Sequence, residues 1–227
     1  MAVAWDGGEV WAARTARQLS PWGRRSALVT AALALSACAG FQPPPAEPPN
    51  GTVRVAPDLL LVLPDPASLG RDLRATQLVA ARYGETTFVF EAQLRAAGGR
   101  FDLVALDALG RKVMTILWTA SGVTAEKAPF LPEALRPENI LADIVMLFWP
   151  VDVVRRALVA SGGSVELEAR SRTVLRNGAP AILALYEAAG NAEPAARPWA
   201  GTGGVRVRYR NEPWDYALDI QSRVVPS

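Results

Sequence analysis

The sequence contains no histidine and a single cysteine, and each lack closes off a range of chemistry. Without histidine the usual general base and the commonest metal ligand are missing, and no Ser-His-Asp or Cys-His arrangement can be assembled. One cysteine makes no intramolecular disulfide, no thiolate metal cluster and no redox pair. Paired carboxylates can hydrolyse a glycosidic bond, but no acidic pair stands out from ordinary strand and helix surface. The chain is therefore expected to be no enzyme, with no catalytic residue, no metal site and no cofactor. An excess of charge is lacking too. The 24 basic and 22 acidic residues include Arg14, Arg17, Arg24 and Arg25 against Asp6 and Glu9 in residues 1–37, so removing that segment leaves 20 of each. A neutral remainder offers no electrostatic footprint for nucleic acid, and none is expected as a partner. Arg206, Arg208 and Arg210 alternate with Val207 and Tyr209, which reads as the solvated face of a strand.

What is present is apolar. Half of the 227 residues are hydrophobic, enough for one domain with a substantial core. The N-terminal part divides the chain further. Arg24 and Arg25 precede a short run of small and aliphatic residues, Ser26 to Leu35, that closes on Leu35-Ser36-Ala37-Cys38. The run is about ten residues, half of what a helix needs to cross a bilayer, and reads as a cleavable signal. Leu-Ser-Ala-Cys resembles the bacterial lipobox. The resemblance implies cleavage before Cys38, a diacylglycerol on its thiol and usually acylation (a palmitate-type chain) of the new amine. Two or three such chains make a stable anchor where one is marginal, at about 0.8 kcal/mol per buried methylene. Lipoproteins kept at the inner membrane commonly carry Asp after the cysteine. Ala39 stands there, so the resemblance favours the periplasmic face of the outer membrane. Residues 1–23 precede the arginines with which a signal peptide should begin, so either the start lies downstream of Met1 or the charged region is unusually long. The expected divisions are a signal peptide at 1–37, a lipidated proline-rich tether at 38–51 and one folded domain at 52–227.

Within that domain, Phe88, Phe90, Ala92 and Leu94 alternate with Glu91, Gln93 and Arg95, which predicts a strand over 86–95. Ala97-Gly98-Gly99 and Leu109-Gly110-Arg111 are turns, and Phe101–Ala108 and Lys112–Thr119 complete an antiparallel meander. Met114, Ile116 and Trp118 share one face of the last strand and Val113, Thr115 and Leu117 the other, so both faces are expected to be covered. The period then changes. Pro137 suits a first helical turn, Glu138 suits its positive end, and Ile140, Leu141, Ile144, Val145, Leu147 and Phe148 recur at helical spacing up to Trp149-Pro150. A second short helix over 152–160 ends at Gly162-Gly163. Strands are expected again at 164–169, 172–176, 181–187, 205–210 and 214–221, with Asn177-Gly178 a turn, 188–204 a loop and 59–63 an opening strand. Strands, then helices, then strands argue an α+β fold: a strongly curved antiparallel sheet, an open half-barrel, with one or two helices forming a lid on its concave face.

Leu135-Arg136-Pro137-Glu138-Asn139-Ile140-Leu141-Ala142-Asp143 leading to Phe148-Trp149-Pro150, and Asn211-Glu212-Pro213-Trp214-Asp215-Tyr216 before a last strand, resemble a bacterial lipoprotein family known as domain of unknown function 3261. Its members resemble the LolA/LolB lipoprotein-carrier architecture and are associated with gene clusters for fatty-acid-like or aryl-polyene products. The resemblance implies a hydrophobic cavity for an acyl or lipid-like ligand, and Phe88, Phe90, Met114, Ile116, Trp118, Ile144, Leu147 and Phe148 are the candidate lining residues. The bland alternative for each is packing in an ordinary sheet–helix core. Trp149 and Trp214, beside prolines, read as packing anchors. Expected partners are the membrane, through the lipid on Cys38, a hydrophobic ligand, and envelope proteins. A second reading is a structural or assembly lipoprotein working through a sheet edge or the loop 188–204.

Overall fold

The structure is a computed structural model that describes residues 51–133, 135–200 and 203–226. The expected signal peptide, Cys38 and the tether up to residue 50 lie outside the described residues. A short hairpin of β1 (Thr52–Ala56) and β2 (Leu59–Val62) comes first. Five strands follow: β3 (Leu73–Tyr83), β4 (Thr86–Ala97), β5 (Arg100–Leu106), β6 (Lys112–Thr119) and β7 (Gly122–Lys127). Helices α1 (Pro137–Phe148) and α2 (Val151–Leu158) lead to five more: β8 (Gly163–Leu167), β9 (Ser171–Arg176), β10 (Ala179–Glu187), β11 (Val205–Asn211) and β12 (Tyr216–Val224). The fold is α+β.

The ten long-sheet strands form one antiparallel sheet in the order β7-β6-β5-β4-β3-β12-β11-β10-β9-β8. Each half is a sequential meander, and the pairing of β12 with β3, from Tyr216 opposite Tyr83 to Val224 opposite Ala75, joins the halves. At this seam the buried Gln77 amide donates to Ser222 Oγ at 3.2 Å, and Trp199 Nε1 donates to the same oxygen at 2.9 Å. The turns follow their residues. Asn177 and Gly178 both take positive φ, 51° and 78°, which a tight hairpin between β9 and β10 requires and Asn-Gly supplies.

The sheet is not closed, since β7 and β8 stand at opposite ends of the order. It is nevertheless wrapped around α1. Trp149, at the end of α1, lies 5.6 Å from the Phe101 ring of β5 and 5.5 Å from the Trp118 ring of β6, while its carbonyl accepts from Arg172 Nη1 of β9 at 2.9 Å. Strands β6 and β9 are seven steps apart in the order, which in a flat sheet would separate them by about 33 Å. An indole and an arginine side chain cannot bridge that distance, so the sheet curls toward the helix and its inner face holds the core. Inner and outer faces alternate cleanly. Along β11, Val205, Val207, Tyr209 and Asn211 are buried. Arg206, Arg208 and Arg210 are exposed and paired with Asp219, Glu187 and Glu212, the solvated face read from the sequence.

Helix α1 forms where the proline and the apolar spacing place it. Pro137 occupies the first turn with Glu138, and Trp149-Pro150 ends it, with Trp149 N–H returning to the Val145 carbonyl at 3.1 Å. Three further carbonyls at this end, those of Met146, Leu147 and Trp149, are met from the sheet. Arg172 Nη1 donates to Met146 O at 2.9 Å as well as to Trp149 O, and Tyr186 Oη donates to Leu147 O at 2.9 Å. Tyr186 is buried in β10 and burial raises its phenol further above the usual range, so it serves as a neutral donor. Tyr186→Phe is expected to cost about 1–2 kcal/mol, the loss of one buried hydrogen bond, read as a lower urea midpoint with an unchanged slope; an unchanged midpoint would show that Leu147 O is satisfied otherwise.

The segment 188–204 contains no helix or strand among its described residues, as the composition predicts. It is nonetheless anchored, because Ala195 and Trp199 are buried and the Trp199 ring stacks on Phe148 at 4.5 Å. The two-sided cover expected for β6 is partial: Val113 is buried, while Thr115 and Leu117 are half-buried.

A cavity between the sheet and helix 137–148

Two cavities lie between α1, the segment preceding it and the sheet. The larger, about 320 Å³, is bounded by β1, β3, β4, the 132–136 segment, α1 and the Asn211–Tyr216 corner. Its walls include Val55, Ala81, Phe88, Leu135, Ile140 and Trp214. The smaller, about 140 Å³, lies toward β5 and β6, with Phe90, Leu103 and Met114 on its wall. Phe88, Leu135 and Ile140 border both. Phe130, also on the smaller cavity, is 68% exposed. Lys127 Nζ holds the covering segment by donating to Pro132 O at 3.0 Å and Leu135 O at 3.4 Å. A volume of this size with mainly apolar walls and a few convergent polar groups is what small-molecule sites look like.

The polar groups sit together. Asp143 is three residues after Ile140 on α1 and so on the same face. Its two carboxyl oxygens accept from Tyr209 Oη of β11 at 2.8 Å and from Tyr216 Oη of β12 at 3.1 Å. The rings of these tyrosines meet edge to face at 5.8 Å. Burial raises the Asp143 pKa to about 7, and the two phenol donors oppose the rise without cancelling it. Burial, with the Asp143 charge beside them, pushes both phenols well above their ordinary range. Asn211, 1% exposed, donates from Nδ2 to Val55 O at 2.7 Å, and its Oδ1 has no hydrogen-bond partner among the described residues. Arg54 and Arg136 border the same cavity. Arg136 is exposed and lies 3.9 Å from Glu138.

The eight candidate lining residues separate into two groups. Phe88 borders both cavities, and Phe90 and Met114 border the smaller. Ile116, Trp118, Ile144, Leu147 and Phe148 are buried in the packed core and border neither cavity. Trp118 belongs to the cluster with Phe101 and Trp149, and Phe148 stacks on Trp199. Of the two tryptophans read as anchors, Trp149 is fully buried and Trp214 lines the larger cavity. The sequence reading passed over Asp143, Asn211, Tyr209 and Tyr216 as site residues. One signal was available: an aspartate flanked by Ile140, Ile144 and Leu147 on the apolar stripe of a helix needs partners when it is buried.

The described residues thus make an open antiparallel sheet folded around one helix, with an apolar cavity that ends in a carboxyl–phenol–amide cluster. The chain matches the family described as protein of unknown function DUF3261 over residues 74–224, and it belongs to that family. No curated protein matches it.

Proposed function

We propose that the protein is a lipoprotein, anchored through Cys38 to the periplasmic face of the outer membrane, that binds or carries an acyl or lipid-like ligand without chemically altering it. The observation that carries this reading is the apolar cavity between β3, β4 and α1, continued past Phe88 and Ile140 by the smaller one. The helices then act as a lid on the concave face of a half-barrel, in the manner of the LolA/LolB carriers. Burying about 200 Å² of ligand chain there would contribute about 5 kcal/mol before the costs of association. Among the described residues no helix is long and apolar enough to cross a membrane.

Mass spectrometry of the native protein extracted from membranes tests both parts. The expected result is a cleaved chain beginning at an acylated Cys38, together with a retained lipid. An unmodified Cys38, or a Cys38→Ala protein that stays with membranes after a salt wash, refutes the anchor. Protein without co-purifying lipid and without a saturable site for N-phenyl-1-naphthylamine refutes the carrier. That outcome would favour an assembly role through a sheet edge, for which the outer edge of β7 is open among the described residues.

A further inference from the structure

Among the polar residues that border the larger cavity, Asp143, Asn211 and Tyr216 belong to one hydrogen-bonded cluster, and its polarity has a sign. Asn211 Oδ1 is a buried acceptor without a donor among the described residues, with less than 1 Å² of its own surface accessible. Its orientation is fixed, because only the amide nitrogen can serve the Val55 carbonyl at 2.7 Å. The phenol protons of Tyr209 and Tyr216 are both committed to Asp143; the Tyr209 oxygen also accepts from Asn211 Nδ2 at 3.4 Å, so Tyr216, which borders the cavity, is the phenol whose oxygen keeps a lone pair for a ligand. Asp143 and Tyr216 therefore offer a ligand acceptor capacity and no proton, and an acceptor left unmet in a desolvated place costs about 1–3 kcal/mol.

We infer that this cluster, where Asp143, Asn211 and Tyr216 border the cavity, selects ligands whose apolar body ends in a hydrogen-bond donor, a hydroxyl or amide N–H, over ligands ending in a carboxylate. The inference rests on the ligand-binding reading above and specifies its substrate class. A hydroxyl at the cluster donates to the Asp143 carboxylate or to the Tyr216 oxygen, both of which border the cavity. A carboxylate brings a second negative charge and no proton to the same place. The ionisable groups around Asp143 are Tyr209 of β11 and Tyr216 of β12, held neutral by their environment, with Tyr83 of β3, Arg54 of β1 and Arg136 bordering the cavity. The arginines are the opposing consideration. Arg136 is exposed and Arg54 half-buried, so water and salt screen their pull on a carboxylate more than they screen the buried cluster.

Decan-1-ol and decanoate share a chain and differ at its end. Each is titrated against N-phenyl-1-naphthylamine bound to the purified protein, at about pH 8.5 and about pH 5.5, on either side of the Asp143 titration. At the higher pH the alcohol is expected to displace the dye at about tenfold lower concentration than decanoate, a difference of about 1.4 kcal/mol. At the lower pH a protonated Asp143 can donate to a carboxylate, and the gap is expected to shrink to about threefold or less. In Asp143→Asn the gap is expected to be small at both values. Equal displacement, or a preference for decanoate at the higher pH, overturns the donor selectivity and leaves the carrier reading standing. No saturable displacement by either compound overturns both. If Asp143→Asn does not fold, judged by circular dichroism, the pH series on the unaltered protein decides alone.

Discussion

Arg172→Ala is expected to lower the free energy of unfolding by about 4 kcal/mol or more, the largest single effect among the substitutions considered, because three buried carbonyls lose their donor at once. Arg172 is 2% exposed and has no carboxylate partner among the described residues. Its guanidinium donates to Ala195 O at 2.7 Å and to Met146 O and Trp149 O at 2.9 Å, and it lies over the Tyr186 ring at 5.7 Å. Burial lowers its pKa, with the nearby Tyr186 acting in the opposite sense, but an arginine stays charged through the accessible pH range. The positive charge faces the negative end of α1, where the backbone dipoles supply the counter-charge. The same residue ties the 188–204 segment to the helix end through Ala195. Lysine should not restore the loss, since one ammonium cannot spread its donors over three carbonyls as the planar fork does. Urea unfolding monitored by circular dichroism reads the change as a fall in midpoint. A loss under about 1 kcal/mol for Arg172→Ala would mean that the carbonyls find other donors and that this cap is dispensable.

The second large effect depends on pH. Asp143 has its folded-state pKa raised to about 7 from an ordinary value of 3.8. Between those values the folded protein keeps a proton that the unfolded chain has released, so stability falls as pH rises through this window. The slope contributed by this one group reaches about 1.4 kcal/mol per pH unit, and above about pH 7 the loss is complete. Asparagine keeps the shape and cannot ionise. The difference in unfolding free energy between Asp143→Asn and the unaltered protein should therefore grow in favour of asparagine from about pH 4 to about pH 7, by some 2–4 kcal/mol, and then level off. Taking the difference removes the opposite trend of carboxylates such as Asp107, whose pKa the side chain and backbone of Arg111 lower and whose contribution is lost as pH falls. A flat difference across the window would show that Asp143 ionises freely in the folded protein.

The parts of the fold that the sequence declares are those with a strong local signal. Helix α1 begins at Pro137 and ends before Trp149-Pro150, where the proline, the apolar spacing and the second proline put it, and β6 runs from Lys112 to Thr119 as the alternation predicts. Strand β7 lies at an edge of the sheet, and Val123, half-buried against the core, is its one branched aliphatic residue, too little to make an alternating pattern. Strand β3 hides its inner face behind small and polar residues, since Ala75, Gln77 and Ala81 point inward there, and only the pairing of Gln77 with Ser222 explains the glutamine. The last strand starts at Tyr216 and not at Trp214, because Glu212–Trp214 form a helical turn that closes with Asp215 at φ 44°. The cavity was less legible than the fold. Asp143, Tyr209 and Tyr216 converge from positions 66 and 73 residues apart, and periodicity within a segment carries no information about such convergence. The apolar stripe of α1 was legible, but it does not distinguish side chains that fill the core, such as Ile144 and Leu147, from one that borders an empty volume, such as Ile140.

The seam between β3 and β12 also bears on how the chain reaches this state. Each five-strand half contains mostly neighbouring pairings, which close short loops and form early, whereas the seam brings together residues more than a hundred positions apart and bears a larger loop-closure cost. A chain that has completed both halves but not joined them presents two strands, of 11 and 9 residues, with unpaired backbone along one side of each. Such edges pair readily with another copy. The kinetic hazard of this architecture is therefore concentrated at its midline, and Gln77 and Ser222, which meet there in only one register, are where correct joining is distinguished from exchange between chains.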